Sequence, residues 1–383
     1  MRVYLDHAAT TPVDARVLEA MLPYFSERCG NASSLHSFGQ EARAGVDTAR
    51  AQVAAAIGAR PAEIVFTSGA TEADNLAVLG TALAQEERGR HIVTSAIEHS
   101  AVLEPCRFLE ARGYTVTYVP VDGRGLIDPD DVRRALRPDT VLVTIMAANN
   151  EIGTVQPVAD IGRLTRERGV PFHTDATQMV GTLPMRVDEL GVDLLSISGH
   201  KRYGPKGVGA LYVRRGTPCR RLQHGGEHER GRRGGTENVP GIVGLGAALH
   251  LAGALMEEER RRVEALRDRL VATALEIPGA RLNGDPARRL PNNANLSFEG
   301  TDGQSLVIGL DLQGVAASSG SACSSGSVEP SHVLLALGLA PELAGAAVRL
   351  TLGRRTTEAE VDFAAAMLRQ VVTGLRRGAP SRV

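Results

Sequence analysis

Val192-Asp193-Leu194-Leu195-Ser196-Ile197-Ser198, followed at once by Gly199-His200-Lys201-Arg202-Tyr203-Gly204-Pro205-Lys206-Gly207-Val208-Gly209, is the stretch on which the fold turns. The first seven residues read as a buried strand, and the glycines after them end it. Lys201 therefore emerges at a strand end, flanked by Gly199 and Gly204. Comparable runs precede it at Ile64–Thr67, His91–Ser95, Thr115–Val121, Val141–Met146 and Val170–Thr174. Amphipathic helical patterns lie between several of them, such as Ala101–Ala111 and Val158–Arg168. This alternation predicts an α/β domain with a largely parallel sheet. Polar residues gather just after the strands: Ser68 to Thr71, Glu98-His99, Asn149-Asn150, Asp175 and His200-Lys201. Open α/β sheets place their ligands at the carboxyl ends of such strands.

Beyond the sheet, a glycine-bearing helix from about Pro240 leads into the charged Glu257–Arg269 stretch. Then come a strand at Asn295–Phe298, a helix at Gln304–Asp311, a strand at Val348–Leu352 and a final helix at Thr357–Leu375. The expected division is a large α/β domain over 15–255 and a smaller α+β unit from 1–14 and 256–383. Between its elements the smaller unit carries Ser318-Ser319-Gly320-Ser321-Ala322-Cys323-Ser324-Ser325-Gly326-Ser327. That composition reads as an exposed loop, where a thiol adds little packing and calls for a chemical reason.

The 43 basic and 44 acidic residues nearly cancel, so net charge gives no argument for nucleic acid or an anionic membrane as partner. No apolar run is expected to approach the roughly 20 residues of a bilayer span. The start, MRVYLDHAATTPVD, lacks a basic segment followed by an apolar one, which predicts a cytoplasmic protein. Cys29, Cys106, Cys219 and Cys323 are scattered without CxxC spacing, as reduced thiols would be. No HExxH, zinc-type Cys/His spacing, Walker A loop or GxGxxG after a strand is present.

Lys201 at an apolar strand end could be desolvated toward the amine form needed for a Schiff base. Asp175, ending VPFHTDA, could pair with a protonated pyridine nitrogen, as on pyridoxal phosphate, and Gln178 could reach that cofactor's phenolic oxygen. TSGATEADN, at 67–75, opens a helix whose first N–H groups suit a phosphate, with the Thr71 hydroxyl beside them. Ser198 and His200 could complete that cradle, and His99 could cover a ring in a chain with no Trp. Taken singly, each residue has a plainer reading: a solvated lysine, an aspartate N-cap, a structural histidine.

Taken together, these residues resemble the class I cysteine desulfurases, the NifS/IscS-like group within the class V aminotransferases of fold type I. The likeness spans nearly the whole chain, through YLDHAATTPVD, NASSLHSFG, TSGATEADN, IEHSAVL, NNEIGTVQP, HTDATQ, SGHKRYGPKGVGALYVRR, RRGGTEN, SSGSACSSGSVEPSHVL and VRLTLGR. It implies pyridoxal 5'-phosphate on Lys201, with Ala70, Thr71, Ser198, Gly199 and His200 at the phosphate and His99 stacked on the ring and acting in proton transfer. Asp175 then pairs with the pyridinium, Gln178 and Asn150 meet the ring's oxygen substituent, and Arg349 holds the substrate carboxylate, with Asn150 beside the substrate. Cys323 is implied as the nucleophile that takes sulfur from L-cysteine as a persulfide, leaving L-alanine. A homodimer is implied, with Thr236 reaching the neighbouring subunit's phosphate. So is an iron–sulfur scaffold or other sulfur acceptor, to whose cluster Cys323 would be a transient ligand; no intrinsic metal is expected.

Ser324 stands where a threonine is frequent in the family, and the ending resembles NifS, so the C-terminal extension of the IscS-type subgroup is not expected. The SSGSAC form differs from class II, the relatives with efficient selenocysteine lyase activity. Two rivals stay open: a class V enzyme using the cofactor without a catalytic thiol, and a non-catalytic assembly subunit. Alanine production that depends on Cys323 separates the first, and a colourless purified protein would favour the second.

Overall fold

The computed structural model describes residues 1–319 and 330–378. Its larger sheet has seven strands in the order Ile64–Thr67, Gly209–Val213, Leu194–Ser198, Phe172–Asp175, Thr140–Thr144, His91–Ser95 and Thr115–Val119. The last five run parallel to one another, while Gly209–Val213 is antiparallel to the strands on both sides. Sequence reading placed six of these strands within a few residues and left out Gly209–Val213. Its direction follows from the connection 199–208, shorter than the dozen or so residues a parallel crossover takes. Strands Leu194–Ser198 and Gly209–Val213 are buried along their whole length, the first with Ser196 and Ser198 among its apolar residues. Gly209 has a steric reason: a Cβ there would stand 2.5 Å from the Ile197 carbonyl and 2.7 Å from backbone of Gly69.

A second, antiparallel sheet follows the order Ser318–Ser319, Ala347–Thr351, Asn293–Phe298 and Ala280–Asn283. Its apolar face joins helices Gly303–Leu312 and Glu358–Gly378 in a core with Leu296, Phe298, Val348, Leu350 and Leu368. The N-terminal pair Val3 and Leu5 belongs to that core, through a short strand Val3–Tyr4 paired with Val315–Ala316. The larger sheet's core is separate, built around Val143, Ile145, Phe172, Leu195 and Ile197.

Helix Val239–Leu275 runs from one region to the other. It corrects one expectation: Val239–Met256 contains no Asp, Glu, Lys or Arg, and the helix is long and apolar enough to cross a membrane by length and composition. Packing accounts for the apolarity here. Half of its most apolar window is buried, and a Cβ on Gly246 would lie 2.6 Å from Ala49 Cα of helix Ser37–Ile57. Glycine and alanine thus let two helices approach closely, which a run scored only by interrupted apolar residues conceals.

Candidate active site

A cavity of about 610 Å³ opens where the carboxyl ends of the large sheet meet the N-terminal segment and the small sheet. Ala70, Thr71, His99, Asn150, Asp175, Gln178, Ser198, His200, Lys201 and Arg349 all line it. Gly199 lies beneath, in the turn Gly199–Lys201, with its N–H on the Val208 carbonyl. Thr236 does not reach this cavity. It lines an adjoining one of about 260 Å³ that shares Ser68, Gly207 and Val208 with the first. Cys323 lies outside the described residues.

Strand Leu194–Ser198 ends at the buried Ser198, and the single turn after it projects Lys201 into the cavity. Its Nζ donates to the carbonyls of Ala8, at 2.7 Å, and Ala9, at 2.8 Å. His200, on the same cavity wall, has its Nδ1 3.1 Å from the Thr10 hydroxyl. Burial, followed by the charges of Lys201 and Lys206, lowers the His200 pKa to about 4, so the ring is neutral at pH 7.

Helix Ala70–Ala84 starts at Gly69 without a side-chain cap, and Gly69, Ala70, Thr71 and Glu72 line the cavity there. Its first-turn N–H groups and helix dipole suit an anion. A carboxylate at that spot needs compensation, and Glu72 has it. Burial acts to raise its pKa, but hydrogen bonds from Arg233 and Ser68 together with the Arg233 charge hold it below the ordinary value.

Asp175 is buried at the end of its strand, with Oδ1 accepting from the Thr177 N–H at 2.9 Å. Behind it, on the first turns of helix Ala70–Ala84, Asp74 is wholly buried. Burial and then the Asp175 charge push its pKa well above the carboxylate range, partly opposed by the Ser196 hydroxyl. Neither Asp74 oxygen makes a hydrogen bond of ordinary geometry among the described residues. His173, at 3.6 Å, is held neutral by burial, its pKa near 4. That contact is therefore not an ion pair with a charged imidazole.

His99 caps helix Ser100–Glu110, its Nδ1 accepting from the Ala101 N–H at 3.1 Å, which places the neutral ring's proton on Nε2. Gln178 donates to the Ala8 carbonyl at 3.0 Å. Arg349 comes from the small sheet and is almost wholly buried, with NH1 donating to the Asn150 carbonyl and NH2 to Asp6, both at 3.0 Å. The segment carrying Asn150 is gripped by the small sheet's polar face: Asn293 and Asn295 both donate to the Glu151 carbonyl at 3.2 Å. Burial raises Glu151 to about 7, while Glu98, beside His99 in sequence, is pushed by burial to about 8.

The donor set fits pyridoxal phosphate: an uncapped helix start for the phosphate, a strand-end lysine, a histidine on the cavity wall and a buried carboxylate. No group of His, Cys, Asp and Glu suited to a metal ion occurs among the described residues. Sequence reading missed the carbonyls of Ala8 and Ala9, and it missed Asp74. Both lie inside motifs quoted above, but backbone acceptors and a carboxyl on the inner helix face carry no type signal.

The class defined by this fold and site is matched by a family model. The class V aminotransferase description covers residues 3–363, and the chain belongs to that family. Its members depend on pyridoxal phosphate. The chain is 52% identical over 379 residues to a protein of Dictyoglomus turgidum named cysteine desulfurase IscS, covering 99% of this chain and 96% of that one. A Methanosarcina thermophila protein of the same name is 51% identical, over 99% and 94%. Among solved structures, a NifS-like protein superposes with a TM-score of 0.92 at 41% identity, over 98% of this chain and all of that one. A structure titled SspA in complex with cysteine matches at a TM-score of 0.82 and 40% identity, over 92% and 99%.

Proposed function

We propose that this protein is a cysteine desulfurase, converting L-cysteine to L-alanine and leaving the sulfur as a persulfide on Cys323. The observation that carries it is one cavity bringing Lys201, Asp175, His99 and Arg349 together from four separate segments, in a chain about half identical to proteins of that name. Pyridoxal 5'-phosphate bound there would supply an electron sink for the pair left when the substrate α-proton departs. Lys201 would carry the cofactor, while Ala70, Thr71, Ser198, Gly199 and His200 hold its phosphate. His99 would cover the ring, Asp175 would pair with its nitrogen, and Gln178 and Asn150 would meet its oxygen substituent.

The residues then divide the work. Arg349 binds the substrate carboxylate, the pairing for which a guanidinium fork is suited. Lys201, released as an amine, takes the α-proton, and His99 moves protons beside it. The Cys323 thiolate attacks the substrate sulfur, so an S–S bond forms as the C–S bond breaks. Neutral His200 and the Arg233-compensated Glu72 keep the helix start receptive to a dianion.

We place the working unit as a cytoplasmic homodimer that passes sulfur to an iron–sulfur scaffold or similar acceptor. Support for the dimer is the group of exposed apolar side chains Val13, Leu18, Leu22, Phe25, Leu35 and Phe38, and the position of Thr236 beside, not inside, its own cavity. The division into 15–255 and the remainder is supported by the separate cores of the two sheets. Incubating pyridoxal-phosphate-loaded protein with L-cysteine and a thiol reductant should give alanine and sulfide in equal amounts. Alanine formed without sulfide would reject the reading.

A further inference from the structure

The segment Asp6–Thr11 touches more of the site than any chemistry assigned above requires. Ala8 and Ala9 accept from Lys201, Ala8 also from Gln178, and Thr10 pairs with His200. Asp6 is the charged member, and its Oδ1 meets Arg349 NH2 at 3.0 Å. Its backbone is fixed from both sides. A parallel bridge joins Asp6 to Thr351, and the Asp6 carbonyl accepts from Tyr4 Oη and the Ala9 N–H, both at 3.1 Å. Thr351 lies two residues beyond Arg349 on one strand, so acid and guanidinium are held by the same piece of sheet.

Asp6 does not line the cavity, whereas Arg349 does. A carboxylate near the site of a substrate carboxylate repels it, so charge alone would weaken binding. Orientation is what the contact supplies. Asp6 and the Asn150 carbonyl engage NH2 and NH1 separately, which fixes the guanidinium plane while each nitrogen keeps a second N–H. Fixing a buried binding group in advance lowers the cost of ordering it when ligand arrives.

We infer that Asp6 is a positioning residue that sets the Arg349 fork for the α-carboxylate of the substrate. This rests on the reading that Arg349 binds that carboxylate. The test is steady-state kinetics on the pyridoxal-phosphate-loaded enzyme, with KM for L-cysteine and competitive inhibition by cysteamine, which lacks the carboxylate. Asp6→Ala should raise KM by about 10-fold or more with kcat changed less than about 3-fold, the pattern of lost uniform binding. Cysteamine inhibition should stay within about 2-fold, because it makes no use of the fork. Asp6→Asn keeps an acceptor and should restore KM to within about 3-fold of the parent. If Asp6→Ala does not fold, Asp6→Glu replaces it, since its longer arm displaces the guanidinium while keeping the charge, and the same rise in KM is expected. Arg349→Ala separates the layers. If it raises KM and the Asp6 variants do not, the positioning role is overturned and the Arg349 reading stands; if Arg349→Ala leaves KM unchanged, both fail. Asp6→Asn as damaging as Asp6→Ala, equal losses for cysteamine, or a fall in kcat matching the rise in KM would also overturn it.

Discussion

The two sheets bring polar groups to the same cavity by different routes. The large sheet delivers them at strand ends, where Asp175 and Ser198 stop buried strands and Lys201 follows in the next turn. The small sheet delivers Arg349 sideways, from the middle of a strand, on a buried polar face shared with Asn293 and Asn295, while Leu296, Val348 and Leu350 lie on the other face. Strand ends project groups into the cavity, where they can act on a reacting atom. Mid-strand groups are locked by pairing on both sides, which suits holding a substrate rather than moving protons. Losses at the strand ends should therefore fall on kcat, and losses on the small sheet's polar face on KM.

The largest expected effect is on the strand-end side. Lys201→Ala should lower alanine formation by roughly 1,000-fold or more, because it removes both the attachment point and the base. Retained activity in a chromatographic alanine assay would break the contrast at its strongest point. Arg349→Ala should lower kcat/KM by about 100-fold, chiefly through KM, as expected for a lost charge-assisted bidentate contact. A drop confined to kcat would place Arg349 among the chemical groups instead. Asn295→Ala, which removes one of the two donors to the Glu151 carbonyl, should raise KM by only about 3- to 10-fold and destabilise by about 1–2 kcal/mol, measured by kinetics and urea unfolding.

A smaller effect concerns pH. Glu98 titrates near 8 in the folded chain against 4.5 as its ordinary value, so it stays protonated in the fold where the unfolded chain has lost the proton. Its contribution to stability is full below pH 4.5 and is lost as pH rises through 8. The buried His173 and the half-buried His200, lowered to about 4 from 6.5, act in the opposite sense. Their contribution is present above 6.5 and lost as pH falls through 4. Between pH 6.5 and 8 the Glu98 slope acts without them, at up to about 1.4 kcal/mol per pH unit. Glu98→Gln should reduce the fall of thermal stability across that window without abolishing it, since the raised Glu151 and Asp74 act in the same sense, and an unchanged slope would show that Glu98 ionises normally. For activity the effect is smallest at the other thiols: Cys106→Ser should keep activity and cost about 1–3 kcal/mol of stability, since the thiol is wholly buried beside Val102 and Leu109. Exposed Cys29→Ser should cost nothing measurable.

The same contrast explains what could be read from the sequence. Strand-end chemistry was legible because an apolar run followed by glycines marks both the strand and the residue that leaves it, as at Lys201. Arg349 was reached through the family motif VRLTLGR, since an arginine inside an alternating strand otherwise reads as an outward charge. The polar face that holds Asn150 was not legible: Asn283, Asn293 and Asn295 become a buried grip only once the small sheet is laid against residues 150–152. The apolar helix start at Val239–Met256 was underestimated for a related reason, because close packing on small residues depends on the partner helix. Thr236 was placed by resemblance, and within one chain it lies beside the cavity rather than on it.

The central claim is that sulfur leaves cysteine onto Cys323. The direct measurement is mass spectrometry of the peptide containing Cys323 after one turnover with L-cysteine and no reductant, alongside alanine quantified from the same sample. One added sulfur atom on Cys323, matched by one alanine per active site, is the expected result, with Cys323→Ser remaining yellow and giving neither. Alanine formed at the normal rate by Cys323→Ser, or sulfur found on Cys29, Cys106 or Cys219 instead, would contradict it.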